Sequence, residues 1–191
     1  QGRSSKPVYL YLDAQVAELR PAAHLWGQDT HKTTDLLLSE TNAKARVACI
    51  GPAGEAGVRF ASIMNDRHRA AGRSGVGAVM GSKHLKAVVV RGAGRVPLAD
   101  PEGFKAFNKQ ILDTFREGIR ETPLGLTVNG TAGVVTVTHN MGVLPTRNWQ
   151  QGTFDGWEKI HGEELTRRFL QKNAACYGCP IGCGRRTKVD D

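Results

Sequence analysis

The chain has 191 residues, 40% of them apolar, which is enough to bury a core and corresponds to one domain or two small ones. No apolar run approaches the ~18–20 residues of a membrane span and no charged-then-apolar leader opens the sequence, so a membrane protein and a secreted one are set aside and a cytoplasmic protein is expected. The net charge of +8 raises the question of nucleic acid, but aromatic residues are few and are not interleaved with the basic ones, so no nucleic-acid partner is expected.

The first predicted element is a strand over the apolar and aromatic run Pro7-Val-Tyr-Leu-Tyr-Leu12. A helix follows near Thr30 to Glu40, then a buried strand over Lys44-Ala-Arg-Val-Ala-Cys-Ile50 closed by Gly51-Pro-Ala-Gly54. From Glu55 to about Asp66, Val58, Phe60, Ala61 and Met64 recur at helical spacing and predict a second helix leading into a basic, glycine-rich loop. The β-branched run Leu85-Lys-Ala-Val-Val-Val90 predicts a strand, ended by Arg91-Gly-Ala-Gly-Arg95. The pattern then changes. Asp100-Pro101-Glu102 opens a helix well, since Asp can cap the free N–H groups and Pro at the first helical position loses nothing. Phe104, Phe107, Ile111, Leu112 and Phe115 give that helix an apolar face to about Glu121, and two more helices are expected at Thr131–Asn140 and Gly162–Lys172. The shift near residues 96–100 separates a strand-containing first half from a helical second half.

The stretch from Asn65 to Lys83 is rich in glycine, and Arg67, Arg69, Arg73, Lys83, Lys86, Arg91 and Arg95 occur in and after it with no acid among them. Glycines let a backbone approach a ligand closely, and their N–H groups with flanking Arg side chains suit a small polyanion. A tightly packed connection between elements is the plainer alternative. The stretch matches neither a dinucleotide fingerprint nor a Walker loop: after Gly75-Val-Gly77 the third glycine's place is taken by Met80, and Lys83 follows Ser82 instead of preceding it.

Cys176-Tyr-Gly-Cys179-Pro-Ile-Gly-Cys183 gathers three of the four cysteines into eight residues. Residues so close make a poor disulfide framework, whereas small and turn-forming neighbours let thiolates point at one centre and free N–H groups to bond to sulfur. An iron–sulfur cluster is the favoured reading. A structural zinc site is the alternative, weakened because no second Cys or Cys/His pair is visible. A fourth ligand must come from elsewhere. Cys49 is the remaining cysteine, and its place in an apolar run reads as a small buried hydrophobe. Gly142-Val-Leu-Pro145-Thr-Arg147-Asn148-Trp149 carries a guanidinium, an amide and an indole on one turn, which either faces a pocket or merely connects helices. His139 and His161 are expected to make local hydrogen bonds, and no catalytic residue is named.

Taken in order, Ile50-Gly-Pro-Ala-Gly-Glu55, the stretch Ile63 to Lys83, Leu144-Pro-Thr-Arg-Asn148 and the Cys176–Cys183 motif closely resemble the aldehyde ferredoxin oxidoreductases, from about Lys6 to the end of the chain. The resemblance implies oxidation of an aldehyde with water to the carboxylic acid at a tungsten or molybdenum centre held by two pterins, with electrons leaving through a [4Fe-4S] cluster to ferredoxin or another acceptor. It implies pterin phosphates bridged by magnesium near the basic loop, with Arg69, Ala70 and Gly72 contacting one pterin and Arg73 a neighbour. It makes Cys176, Cys179 and Cys183 cluster ligands, and puts Arg147 and Asn148 at the substrate cavity. The implied fold is α+β: residues 1–95 as the C-terminal portion of a β-rich, pterin-cradling domain, and 96–191 as part of a mainly helical domain carrying the cysteine motif. Members of this family are roughly three times as long, so the chain is expected to be an internal piece, inactive without the remainder of its parent. A small iron–sulfur electron-transfer module without pterin and a structural zinc domain remain as alternatives.

Overall fold

A computed structural model describes residues 2–121 and 125–189; the expectations about the chain ends that concern Gln1, Asp190 and Asp191 lie outside these. The chain divides into two compact units, Gln1–Pro97 and Leu98–Asp191. Strands and helices occur in both, so the class is α+β as expected. Among the described residues no helix is long and apolar enough to cross a membrane.

In the first unit, β1 (Val8–Asp13), β2 (Ala17–Pro21), β3 (Arg46–Cys49), β4 (Ile63–Asn65), β5 (Arg69–Ala71) and β6 (Leu85–Arg91) form one sheet in the order β2-β1-β6-β3-β4-β5. Only the β1–β6 pair is parallel. Register puts Tyr9 and Cys49 beside Ala87, and Tyr11 and Val47 beside Val89, so alternate residues of three strands share one face. That face, with Leu25 and Leu37, is the core. Leu37 comes from α1 (Thr30–Glu40), whose start is fixed by Asp29: its carboxylate accepts the Lys32 N–H at 2.8 Å. β2 was not anticipated. Its signal is Asp13, whose side chain accepts the N–H groups of Gln15 and Val16 at 2.9 Å and so turns the chain back on β1.

The helix expected over residues 55–66 does not form. Instead α2 (Pro52–Glu55) ends before Gly57, which has φ +71°, and the chain turns into β4. The apolar recurrence was coincidental: Phe60 is 83% exposed, whereas Met64 pairs with Cys49 in the sheet. The basic glycine stretch is likewise not one loop, because it contains β5 and α3 (Val76–Ser82).

The second unit holds α4 (Pro101–Glu121), α5 (Leu126–Asn129), α6 (Val134–Asn140) and α7 (Gly162–Phe169), followed by the hairpin β7 (Leu170–Ala174) and β8 (Gly184–Thr187). α4 opens at Asp100 as anticipated, with the Gly103 N–H donating to its carboxylate at 2.9 Å, but its apolar face remains exposed, Phe107 to 59%. The helix expected over 162–172 stops at Phe169, and the next residues become a strand because Arg185 and Arg186 come alongside as partners. The segment expected as a helix from Thr131 begins instead as a 3₁₀ turn over Gly130–Gly133.

Candidate functional site

The candidate anion site begins at β5, the edge of the sheet, where backbone N–H and C=O groups on one side have no strand partner among the described residues. Arg69 lies on this strand opposite Asn65, and Ala70 opposite Met64. The hairpin is anchored at its tip: the Asp66 carboxylate accepts from the Arg46 guanidinium at 3.3 Å, and Arg67 forms an ion pair with Asp35 of α1. Beyond β5 come Gly72 and Arg73, both exposed, and then Ser74 and Gly75 with φ of +69° and +64°.

The glycines of this segment divide into two groups. A Cβ on Gly75 would sit 2.1 Å from the Arg59 carbonyl oxygen, on Gly77 2.5 Å from that of Ser62, and on Gly81 1.8 Å from that of Gly54. These three exist so that α3 can pack on α2 and on the segment before β4, as in the plainer of the two sequence readings. Gly72 differs: the nearest atom to a Cβ there is 3.9 Å away, so its surface is open.

The cations divide in the same way, because acids distant in sequence, Asp35 and Glu55, pair with two of the seven in the fold. Arg67 is paired with Asp35, Lys83 donates to the Gly2 carbonyl at 2.9 Å, and Arg91 donates to that of Gly92. Lys86 is wholly buried and no part of an anion site. Its ammonium meets the Glu55 carboxylate and donates to the Gln28 carbonyl at 2.9 Å, while the other Glu55 oxygen accepts the Gly27 N–H at 2.8 Å. Arg69 and Arg73 have no ion-pair partner among the described residues. Arg69 Nε and Nη2 are shielded from solvent with no acceptor among the described residues, a state that costs about 1–3 kcal/mol per group unless a ligand supplies one. Arg69, Ala70, Gly72 and Arg73 thus share one strand edge and its following turn, with unmet donors and open backbone. The donor set suits an anionic, hydrogen-bonding ligand.

All three cysteines of the motif lie on the loop that links β7 to β8, between the paired Ala174 and Gly184. Gly178 and Gly182 adopt φ of +67° and +62°, and the Cys179 N–H bonds to the Cys176 carbonyl at 3.1 Å, which folds the loop back twice. The thiols are free; Cys176 is exposed, and Cys179 and Cys183 are half-buried. Among the described residues no three His, Cys, Asp or Glu side chains converge on a single-ion site. A cubane binds each thiolate at a different iron atom, so its ligands need not meet at one point. Three thiols on a short loop with two left-handed glycines suit it.

Cys49 is not a candidate fourth ligand. It is fully buried in the sheet core, its thiol lies 3.7 Å from the Thr30 carbonyl, and burial pushes its pKa up, which disfavours thiolate.

The hairpin is seated by a network that the sequence reading missed. The Arg185 guanidinium donates to the carbonyls of Leu126 at 2.9 Å and Thr127 at 2.7 Å and also to the Asn173 side chain, while Asn173 donates to Thr127 at 2.9 Å. Burial lowers the Arg185 pKa, against an opposing effect of the Cys183 thiol.

Arg147, Asn148 and Trp149 form a tip with three successive left-handed residues, at φ of +48°, +55° and +68°, closed by Thr146–Gln151 backbone hydrogen bonds of 3.0 and 3.1 Å. Such a conformation costs ~1–2 kcal/mol for a residue with a Cβ. Arg147 lines a hollow of about 270 Å³ with Leu144, Pro145, Thr146, Phe154 and Ile160; Asn148 is not on its wall. The two histidines make local contacts, as expected: His139 Nδ1 accepts the Phe154 N–H at 3.3 Å, and His161 Nδ1 lies 2.5 Å from Glu163.

Residues 1–92 match the family model for the aldehyde ferredoxin oxidoreductase N-terminal domain, and residues 110–191 that for domains 2 and 3. The tungsten-containing aldehyde ferredoxin oxidoreductase of Thermococcus kodakarensis is 46% identical over 193 residues, which cover 99% of this chain and 31% of the relative. That of Pyrococcus furiosus is 42% identical over the same coverage. A solved structure of the active site complex BamBC of benzoyl coenzyme A reductase with 1,5-dienoyl-CoA superposes with a TM-score of 0.78 at 31% identity, over 100% of this chain and 31% of that one. The chain therefore spans 31% of the length of these relatives.

Proposed function

Since this chain belongs to the aldehyde ferredoxin oxidoreductase family, we propose that it is part of an enzyme that oxidises aldehydes to carboxylic acids and delivers the electrons to ferredoxin or a similar acceptor. When bound, a tungsten- or molybdenum-bis-pterin centre would supply the two-electron chemistry with water as the oxygen source, and a [4Fe-4S] cluster the single-electron exit. Residues 1–95 contribute to the pterin-binding domain and 96–191 to a helical domain. Arg69 and Arg73 would bind and orient the anionic parts of one pterin, with magnesium as a further counter-charge for its phosphates, and Ala70 and Gly72 would leave it room against the strand edge. Cys176, Cys179 and Cys183 hold the cluster. Arg147, with Asn148 beside it, contributes to the aldehyde cavity, where a cation can orient a polarised carbonyl.

The observation that supports this most directly is the sorting of the cations. Of seven basic residues in and after the glycine stretch, four have partners within the fold; among the described residues Arg69, Arg73 and Arg95 have none, and of these Arg69 lies on the open edge strand and Arg73 on the turn that follows it. A pterin-free electron-transfer module has no use for that arrangement.

The test is elemental analysis of the complete parent protein, purified without oxygen, for iron, zinc, tungsten and molybdenum, alongside Cys179→Ala. Iron near four per chain with tungsten or molybdenum is expected, and the variant should lose the cluster's electron paramagnetic resonance signal. Iron without either heavy metal would favour the electron-transfer module, zinc alone the structural zinc domain, and unchanged iron in the variant would remove the ligand assignment.

A further inference from the structure

Resting on the cluster assignment above, we infer that Arg185 is a positioning residue for the cluster: it fixes the cysteine hairpin on the α5 turn and leaves an uncompensated cation beside the thiolates. The geometry has three parts. First, Arg185 and Asn173 are cross-strand partners in the hairpin that carries Cys176, Cys179 and Cys183, and both side chains reach the same α5 carbonyl, that of Thr127. The planar guanidinium bridges two backbone carbonyls and an amide at once, which a flexible ammonium would not do. Loop residues alone would leave the thiols free to swing; this clamp sets where Cys183 enters the loop.

Second, Gly130, at φ +63°, forms the seat. A Cβ there would lie 2.8 Å from both Arg185 Nε and the Cys183 carbonyl oxygen, so the backbone of one ligand and the guanidinium rest on the same bare Cα.

Third, the charge is unbalanced. The Asn173 side chain and the Leu126 and Thr127 carbonyls that Arg185 bonds to are all neutral, and among the described residues no carboxylate lies within ion-pair distance. Its Nε is shielded and has no acceptor among the described residues. A half-buried guanidinium without a counter-charge is unfavourable. Thiolates on a cluster supply that counter-charge two residues away. A cation there favours the reduced, more negative cluster and so raises its reduction potential, since net charge and hydrogen bonding around the sulfurs set that potential.

The experiment compares the complete parent enzyme with its Arg185→Met and Arg185→Lys variants, reading the cluster midpoint potential by redox titration under electron paramagnetic resonance and the rate of iron loss to a ferrous chelator. Arg185→Met should shift the potential downward and release iron several-fold faster. Arg185→Lys should release iron faster with a potential close to wild type, because it keeps the charge and loses the fork. A residue that merely stabilises the fold would alter iron release and leave the potential of the loaded enzyme unmoved, so an unshifted potential in Arg185→Met would overturn the inference. If Arg185→Met does not fold, Arg185→Lys decides: iron release as slow as wild type would overturn it. A wild-type parent with no cluster signal would remove the underlying assignment and this inference with it, whereas a wild-type signal with indifferent variants would remove only the latter.

Discussion

Neutralising Glu55 isolates a charge that the fold has enclosed completely. Lys86 has a side-chain exposure of 0% and Glu55 of 7%, and the pair ties α2 and the Gly27–Gln28 turn to β6. In Glu55→Gln the shape is kept, but the ammonium loses its counter-charge in a place water does not reach; breaking a buried pair in this way costs about 3–5 kcal/mol. Lys86→Met should cost the same order, since it leaves the Glu55 carboxylate with only the Gly27 N–H. The double variant Lys86→Met/Glu55→Gln should regain most of the loss, because no enclosed charge remains, so the coupling between the two sites should be several kcal/mol and favourable. Urea unfolding of the chain, read by circular dichroism and by hydrogen exchange of the β6 amides, measures all three. A loss below ~1 kcal/mol for Glu55→Gln would refute the desolvation reasoning. Intact stability in Lys86→Met with reduced cofactor retention in the parent enzyme would return Lys86 to the anion site.

Gly81→Ala places a methyl group where the Gly54 carbonyl oxygen stands, 1.8 Å from the ideal Cβ, so α2 and α3 must separate; a loss at or above the ~1–3 kcal/mol of ordinary overpacking should appear as a lower melting temperature. Arg69→Ala in the parent enzyme should lower pterin occupancy while leaving iron content unchanged, and full pterin retention would count against its contact role. The Lys32 N–H bonded to Asp29 holds its carboxyl below its ordinary value of 3.8. Because the folded pKa is the lower one, the stabilisation is complete above 3.8 and is lost as pH falls through the folded value. Asp29→Asn, which keeps a capping oxygen but cannot titrate, should weaken the pH dependence of stability in that acid range, as measured by acid unfolding.

Much of the framework is legible in local sequence. The strands at Val8 and Leu85, the helix from Thr30 to Glu40 and the opening of α4 follow from β-branched runs and from Asp caps acting over a few residues. The two cysteine-loop glycines and the free thiols were visible too, since turn chemistry depends on neighbours alone. The false helix at residues 55–66 shows the limit of that reasoning. Val58, Phe60, Ala61 and Met64 satisfied a helical period, but Gly57 broke the backbone and the unpaired edge of β3 offered Met64 a better place. β7 had no strand signal at all, because its partner lies beyond the cysteine loop.

The sequence by itself determined which residues carry the chemistry: a thiol triplet, a glycine-rich basic stretch, and the order of motifs that resembles one family. Only the tertiary structure decided which of them are free to use it. Lys86 and Arg69 are alike as cations in sequence, yet one is sealed against Glu55 and the other stands without an acceptor on a sheet edge. Gly72 and Gly81 are alike as glycines, yet one is open and the other is filled by a carbonyl of α2. Charge and chain flexibility are properties of a residue, whereas burial and partnership belong to contacts between segments distant in sequence, which exist only once the chain has folded.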